Sequence, residues 1–360
     1  MARKLKSDRI LFLTTLLLVC LSVVMVYSAS AVKNPYAYLT KQLMWAALGF
    51  AFLSVVMRID YRHYRESAFI WSFVGIVTLG LVAVLFMPSR NHASRWFNVG
   101  GLGIQPSEPA KLAVTVFIAA LLERRMHRVN EVGYSLVPIA LVVVGWIGLI
   151  LGEPDLGTSA AIGLIAAVMV FAAGLNYRYM AGAAIVGLPV VALLVMTVGY
   201  RMRRILTFLN PWEDPLGSGY QIIQSLIAVG TGGVQGHGLM NGVQKLFYLP
   251  EAQTDFIYAV IAEEMGLIGA TLVLICFCVI AWRGIRIALN APDRFGAFLA
   301  LGLTTMVVVQ AFVNMSVVLG LIPTKGIPLP FVSFGGSSLL INLLGMGILL
   351  NVSKHATPET

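Results

Sequence analysis

The chain has 360 residues, 58% of them hydrophobic and only 11% charged, with a net charge of +9. So little charge cannot cover the surface of a water-soluble domain, which excludes a soluble enzyme. The positive residues sit in short loops between apolar runs, a pattern that excludes a nucleic-acid-binding domain and fits an integral membrane protein.

The apolar runs recur at about the 20 residues that a helix needs to cross a bilayer. An open sheet cannot satisfy its backbone in lipid, and the alternating pattern of a barrel is absent, so the expected fold is an all-α polytopic membrane protein. The first run, Ile10 to Ser30, follows Arg3, Lys4, Lys6 and Arg9 and is too long for a signal-peptide core, so it reads as a retained helix. Ten transmembrane helices are predicted in chain order: 10–30, 39–57, 68–87, 107–122, 135–152, 158–174, 179–199, 257–281, 295–319 and 332–352. Ten spans put both termini on one side. Most Lys and Arg fall there, against Lys33, Lys41, Arg90, Arg95 and Lys325 in short loops opposite, so N and C termini are expected to be cytoplasmic.

Three segments then fall outside: Pro88 to Pro106, the turn Glu153 to Gly157, and a long extracytoplasmic loop from Tyr200 to Thr254 between helices seven and eight. That loop far exceeds the usual connection and is expected to be functional or partly structured. Residues 1–360 read as a single transmembrane domain, with no low-complexity linker. The lack of an obvious internal repeat counts against a transporter built from inverted repeats. Cys20, Cys276 and Cys278 lie inside apolar runs and read as small hydrophobes, and the five histidines show no metal-ligand spacing.

Polar residues near the membrane core are costly and need a reason. Glu108 and Lys111, opening the fourth span, share a helix face. Lys111 opposes the helix dipole and needs a counter-charge, from Glu108 or from an anionic substrate. Asp155 either caps the sixth helix or meets substrate or a cation. Arg201, Arg203 and Arg204 run against the positive-inside trend and suit either a phosphate or anionic head groups. The glycines between Gly230 and Gly242 suggest close backbone approach or hinges and lack the order of a P-loop. Prolines and glycines from Pro323 to Gly336 imply a bent or broken segment lining protein or a wet cavity. Asp255 stands where the eighth helix begins, with Glu263 and Glu264 two turns further in; it is either an N-cap or a catalytic carboxylate.

In order along nearly the whole chain, these segments resemble the SEDS family (shape, elongation, division and sporulation). The matching pieces are Arg95-Trp96, Gln105-Pro106-Ser107-Glu108 with Lys111, Pro154-Asp155-Leu156-Gly157-Thr158-Ser159 and Gly219-Tyr220-Gln221 with Gln224-Ser225. They continue with Leu249-Pro250-Glu251, Thr254-Asp255-Phe256-Ile257, Glu263-Glu264, Pro323-Thr324-Lys325-Gly326, and Pro328-Leu329-Pro330-Phe331 with Gly335-Gly336-Ser337-Ser338. Each is weak alone; the ordered set is specific. The segment from Arg203 to Tyr220 resembles the RodA branch more than the FtsW branch.

The resemblance implies ten helices in the bacterial cytoplasmic membrane and a peptidoglycan glycosyltransferase that polymerises lipid II during cell elongation. It implies a class B penicillin-binding protein as transpeptidase partner within the elongation machinery, and no nucleic acid. The family's key aspartate matches Asp255, and its Glu/Lys pair matches Glu108 and Lys111. The residue two before the aspartate is usually His in the family and is Gln253 here, so a base shared with that histidine is not expected. Asp255 is then the expected base, taking the proton of a sugar hydroxyl. Expected substrate contacts are Glu108, Lys111, Arg95, Trp96, Asp155, Arg203, Arg204, Gln224, Lys245 and Lys325. A divalent cation, Mg²⁺ or Mn²⁺, could share the diphosphate of the polyprenyl-linked glycan, held partly by substrate phosphates. Two rival readings are a lipid II flippase, which needs polar residues through the whole membrane, and a non-catalytic scaffold, in which Asp255 is dispensable.

Overall fold

The computed structural model describes residues 7–87, 95–99 and 102–356. Among these, the helices run α1 (Arg9–Ala29), α2 (Pro35–Val56), α3 (Ser67–Leu85), α4 (Ser107–Arg125), α5 (Val137–Gly152), α6 (Leu156–Ala172), α7 (Tyr177–Met196), α8 (Gly199–Leu209), α9 (Tyr220–Gly232), α10 (Ile257–Leu289), α11 (Arg294–Val318) and α12 (Gly336–His355). A helix coincides with each of the ten predicted spans. Eight of these segments are long and apolar enough to cross a membrane. The other two are α4, which carries Glu108, Lys111, Glu123, Arg124 and Arg125, and α6, with 17 residues. Arg3, Lys4, Lys6 and Arg90, used in the charge argument, lie outside the described residues.

Three features depart from the expected pattern. A short antiparallel hairpin, β1 (Phe97–Val99) with β2 (Leu102–Ile104), precedes α4 and pairs Phe97 with Ile104, so the fold is not helical throughout. The segment after α7, expected to be functional or partly structured, holds α8 and α9, so helices stand where the span count placed only a loop. And α10 continues to Leu289, beyond the predicted 281, because leaving the apolar layer at Trp282 and Arg283 does not require the helix to end.

The core is built on α4, α11 and α12, which are buried along most of their length, whereas α7 buries no residue. In a bilayer, helices associate through close packing of small residues rather than through expulsion of water. The contact of α2 with α12 shows this: a Cβ on Gly49 would stand 2.4 Å from Leu343 Cδ1. At one end of the bundle Asp8 caps α1, accepting from the Leu11 N–H at 3.0 Å, and pairs with Arg283 of α10 at 2.6 Å. At the same end Asp293 caps α11 and accepts from Tyr61 and Arg62. Of the cysteines, Cys276 is buried, while Cys20 and Cys278 face outward.

The opposite end contains a broken helix. Gly266 has φ 65° and ψ −164° inside α10, a backbone state that L side chains rarely adopt. The break frees carbonyls and N–H groups, and the chain after α9 supplies their partners. His237 and Gly238 N–H donate to the carbonyls of Glu263 and Glu264 at 3.0 and 2.9 Å, and the Leu267 N–H donates to Gly233 at 2.9 Å. The backbones come so close that a Cβ on Gly266 would lie 2.4 Å from Gly236 N. The close approach read from the glycine run is thus observed.

Candidate active site

Asp255 is the last residue but one before α10. It does not cap that helix: Phe256 takes the N-cap position, without a side-chain bond. Its position is fixed by clasping two loops together. Asn314 of α11 donates through Nδ2 to the carbonyls of both Asp255 and Ile327, at 2.7 Å each. Ser333 donates to the Thr254 carbonyl at 2.5 Å, and the Phe334 N–H donates to the Gln253 carbonyl at 2.9 Å. The segment 325–334 is therefore locked against 253–255. Gly326 forms the floor: a Cβ there would stand 2.8 Å from Asp255 Oδ2.

The two loops enclose a cavity of about 250 Å³, lined by Arg204, Gln221, Glu251, Asp255, Phe256, Thr324, Lys325 and Gly326. Arg204, from α8, is held over it by donation to the Thr324 carbonyl at 3.2 Å. Among the described residues neither the Asp255 carboxylate nor the Lys325 ammonium has a hydrogen-bond partner, and Asp255 keeps part of its surface open to the cavity. Burial pushes the Asp255 carboxyl up to about 7; the Glu251 charge adds to this and Arg204 opposes it, with smaller opposed contributions from Asp155 and Arg95. Burial likewise pulls the Lys325 ammonium down to about 8, opposed by Asp155 and reinforced by Arg204, Arg201 and Arg95. A carboxylate and an ammonium poised around neutrality, with no built-in partners, can exchange protons and bind an anion.

Asp155 caps α6 beside Lys325 and does not line the cavity. Its carboxylate accepts from the Gly157 and Thr158 N–H groups at 2.9 and 3.1 Å, from the Thr158 hydroxyl at 2.8 Å and from Gln105 at 3.3 Å. Arg95 grips the same turn, donating to the Glu153 and Pro154 carbonyls at 2.7 and 2.6 Å. The Lys325 stem crosses the helix start, 3.0 Å from where a Cβ on Gly157 would lie. The Asp155 charge thus reaches both Asp255 and Lys325 without its oxygens being free.

The remaining expected contacts are dispersed. Lys111 finds its counter-charge in Glu108, at 3.0 Å, and also donates to Gln310 at 2.6 Å; Gln310 in turn donates to the Pro328 carbonyl at 2.9 Å. This buried chain supports the Lys325 loop from behind and does not line the cavity. Lys245 is buried against Glu264 at 2.6 Å and Ser28 at 2.7 Å, away from the cavity lining. Arg203 is exposed, near Asp214. Gln224 is half-buried on α9, three residues beyond the cavity-lining Gln221. Trp96 is exposed and lies over Gly103 of the hairpin. The lining residues missed as site members, Gln221, Glu251, Phe256, Thr324 and Gly326, all lie in the matched motifs; Asn314 and Gln310 carry no motif signal and were visible only as polar residues within an apolar run.

Fold and site define a multi-pass membrane protein whose clasped loops enclose the Asp255 carboxylate, unpartnered among the described residues. A family model described as "Cell cycle protein" (FTSW_RODA_SPOVE) matches residues 8–358, and the chain belongs to this SEDS family. It is 45% identical to the "Probable peptidoglycan glycosyltransferase FtsW" of Geobacter sulfurreducens, over 97% of this chain and 96% of the relative. It is similar to a solved structure described as "Structural coordination of polymerization and crosslinking by a peptidoglycan synthase complex", with TM-score 0.79 and 31% identity over 96% and 97% of the two chains. The rod shape-determining protein RodA of Thermus thermophilus matches with TM-score 0.73 and 28% identity, over 98% of each chain. This is a multi-pass protein of the bacterial cytoplasmic membrane.

Proposed function

We propose that this chain is a peptidoglycan glycosyltransferase that polymerises lipid II, with Asp255 as general base. The observation that carries the reading is the Asp255 carboxylate, unpartnered among the described residues and raised to about 7, facing Lys325 and Arg204 across one cavity. The 4-hydroxyl of the acceptor N-acetylglucosamine gives its proton to Asp255 as its oxygen bonds to the anomeric carbon of the donor. The donor's bond to the polyprenyl diphosphate breaks on the opposite face, and its electron pair leaves with the diphosphate. An α-linked donor becomes a β-1,4 link in a single displacement, which needs one carboxylate and no covalent sugar intermediate. Arg204 and Lys325 meet the charge that develops on the leaving group. Asn314, Gln310 and the Lys111–Glu108 pair hold the two loops in register.

Among the described residues no three His, Cys, Asp or Glu side chains converge, so the donor set does not fit a protein-only cage for Mg²⁺ or Mn²⁺. Such an ion would take most of its oxygens from the substrate phosphates.

The test is a polymerisation assay with purified protein, lipid II, and Mn²⁺ or Mg²⁺, with and without a class B penicillin-binding protein. Polymer from the wild type and none from a folded Asp255→Asn variant is the expected result; full activity in that variant sinks the assignment. For the cellular process, the Arg203 to Tyr220 segment supports elongation, whereas the name of the Geobacter relative favours division. Depletion that rounds cells supports the first, and depletion that leaves filaments supports the second.

A further inference from the structure

The segment after α9 carries exposed apolar side chains that the proposed chemistry does not use. Val234, Leu239, Val243, Leu246, Phe247 and Tyr248 are all exposed, Phe247 at 84%. Between Gly233 and Pro250 the only Asp, Glu, Lys or Arg is Lys245, and it is turned inward. Every exposed position there is uncharged at neutral pH or a histidine.

Two helices measure the height of this segment. Asp8, paired with Arg283, and Ser28, bonded to Lys245, stand 20 residues apart along the continuous α1. At 1.5 Å per residue the separation is about 30 Å. On α10, which runs antiparallel beside α1, the unbroken helix from Leu267 to Arg283 spans 16 residues, or about 24 Å, with the Gly266 break and Glu264 just beyond it. The α1 length equals the hydrocarbon thickness of a bilayer, about 30 Å, and the α10 break falls near the same level. With the Asp8–Arg283 pair at one interface, the Lys245–Glu264–Ser28 cluster lies at the other. The segment is fastened at that level and is continuous with Leu267 and Ile268, exposed on the outward face of α10; the Ile268 N–H donates to the Val234 carbonyl at 3.3 Å.

Its backbone is treated as non-helical chain must be when water is scarce. The Met240 N–H donates to Glu264 Oε2 at 2.9 Å, and the Val243 and Gln244 N–H groups donate to Glu263 Oε1 at 2.7 and 3.0 Å. Together with the His237 and Gly238 bonds at the helix break, two buried carboxylates and two freed carbonyls serve this one loop. Glu263 therefore faces backbone, Glu264 faces backbone, Lys245 and Ser28, and neither lines the cavity.

We propose that residues 239–248 dip into the bilayer interface at the cavity's end of the protein, with Leu246, Phe247 and Tyr248 against phospholipid acyl chains and headgroups. Tyr248 lies seven residues before Asp255, so this contact sets the height of the Asp255 loop above the lipid. The lipid contact does not depend on the glycosyltransferase reading and is tested without an activity measurement.

The test uses the full chain with Cys20, Cys276 and Cys278 replaced by Ser and one new cysteine at Val243, Leu246 or Phe247. Each variant is labelled with an environment-sensitive nitrobenzoxadiazole dye and placed in phosphatidylcholine–phosphatidylglycerol vesicles. Emission shifted to shorter wavelength than the free dye–cysteine conjugate is expected. So is quenching that is stronger with a nitroxide at a shallow acyl position than with aqueous iodide. Emission and iodide quenching equal to those of the free conjugate would overturn the proposal. Protection that vanishes as the protein is diluted in lipid would overturn it too, in favour of a second copy of the chain. Three positions are used so that a variant failing gel filtration leaves two to decide.

Discussion

Two clusters of charge lie toward the same end of this molecule, and they have been handled in opposite ways. In one, Lys245 donates to Glu264 and Ser28, and the second Glu264 oxygen and both Glu263 oxygens take backbone N–H groups. In the other, Asp255 and Lys325 face one cavity with their charged atoms unpartnered among the described residues, while only their backbones and stems are held. A buried charge left alone is costly. A protein retains one where something from outside completes it, and the half-open cavity is where that something enters. Paired charge builds the scaffold; unpaired charge marks the site.

The largest expected effect tests the unpaired cluster. Asp255→Asn keeps the shape of the side chain and removes its basicity, so polymerisation should fall by about 10²–10⁴-fold while the melting profile in detergent stays that of the wild type. A large loss of stability instead would make Asp255 scaffold and erase the contrast. The paired cluster should behave in reverse. Lys245→Met leaves Glu264 buried without its cation and should cost about 3–5 kcal/mol, seen as a marked fall in thermal midpoint. Adding Glu264→Gln should restore part of it. An unchanged midpoint would mean that the pair holds nothing together.

Much of this was legible in the chain, and the reason differs by region. Each predicted span coincides with a helix because about 20 apolar residues leave lipid-exposed backbone no other way to satisfy itself. Asp255, Lys325 and Arg204 were readable because their motifs are contiguous in the chain. Gln310 and Asn314 were not, since their importance lies in reaching the carbonyls of Pro328, Ile327 and Asp255, a proximity created only when α11 packs against two loops. Lys245 was read as a substrate contact because its partners, Glu264 and Ser28, are 19 and 217 residues distant. The break at Gly266 was likewise hidden inside an unbroken apolar run, although the glycine run that fills it was conspicuous.

The pH dependence of polymerisation sharpens the same contrast with a smaller effect. Asp255 acts as a base only when deprotonated, so activity should rise through about pH 7. Lys325 binds the leaving group only when protonated, so activity should fall above about pH 8. The expected profile is a narrow bell, approaching a tenfold change per pH unit on its outer limbs. Lys325→Arg, with a guanidinium that stays charged, should remove the alkaline limb and leave the acid one. An alkaline limb that survives in Lys325→Arg would assign it to another group.

An effect that is absent in acid and grows with pH is expected at Glu153, which stands between the two kinds of charge. Its side chain is fully buried, both of its oxygens lack a hydrogen-bond partner among the described residues, and burial pushes its carboxyl up to about 8, aided by Asp155 and opposed by Arg95. At pH 7 it is therefore mostly neutral, and Glu153→Gln replaces one neutral polar group by another of the same shape. Stability at pH 5 should then be nearly that of the wild type. The sign follows from proton uptake: the folded state holds the proton more tightly than the unfolded chain, so wild-type stability falls as pH rises from about 4.5, the ordinary glutamate value, to about 8. The glutamine variant has no such proton to lose. Measured by thermal unfolding, it should match the wild type in acid and exceed it at pH 9. If it is instead much less stable at both pH values, Glu153 is ionised and paired in the folded protein, and belongs with Lys245 and Glu264 rather than with Asp255.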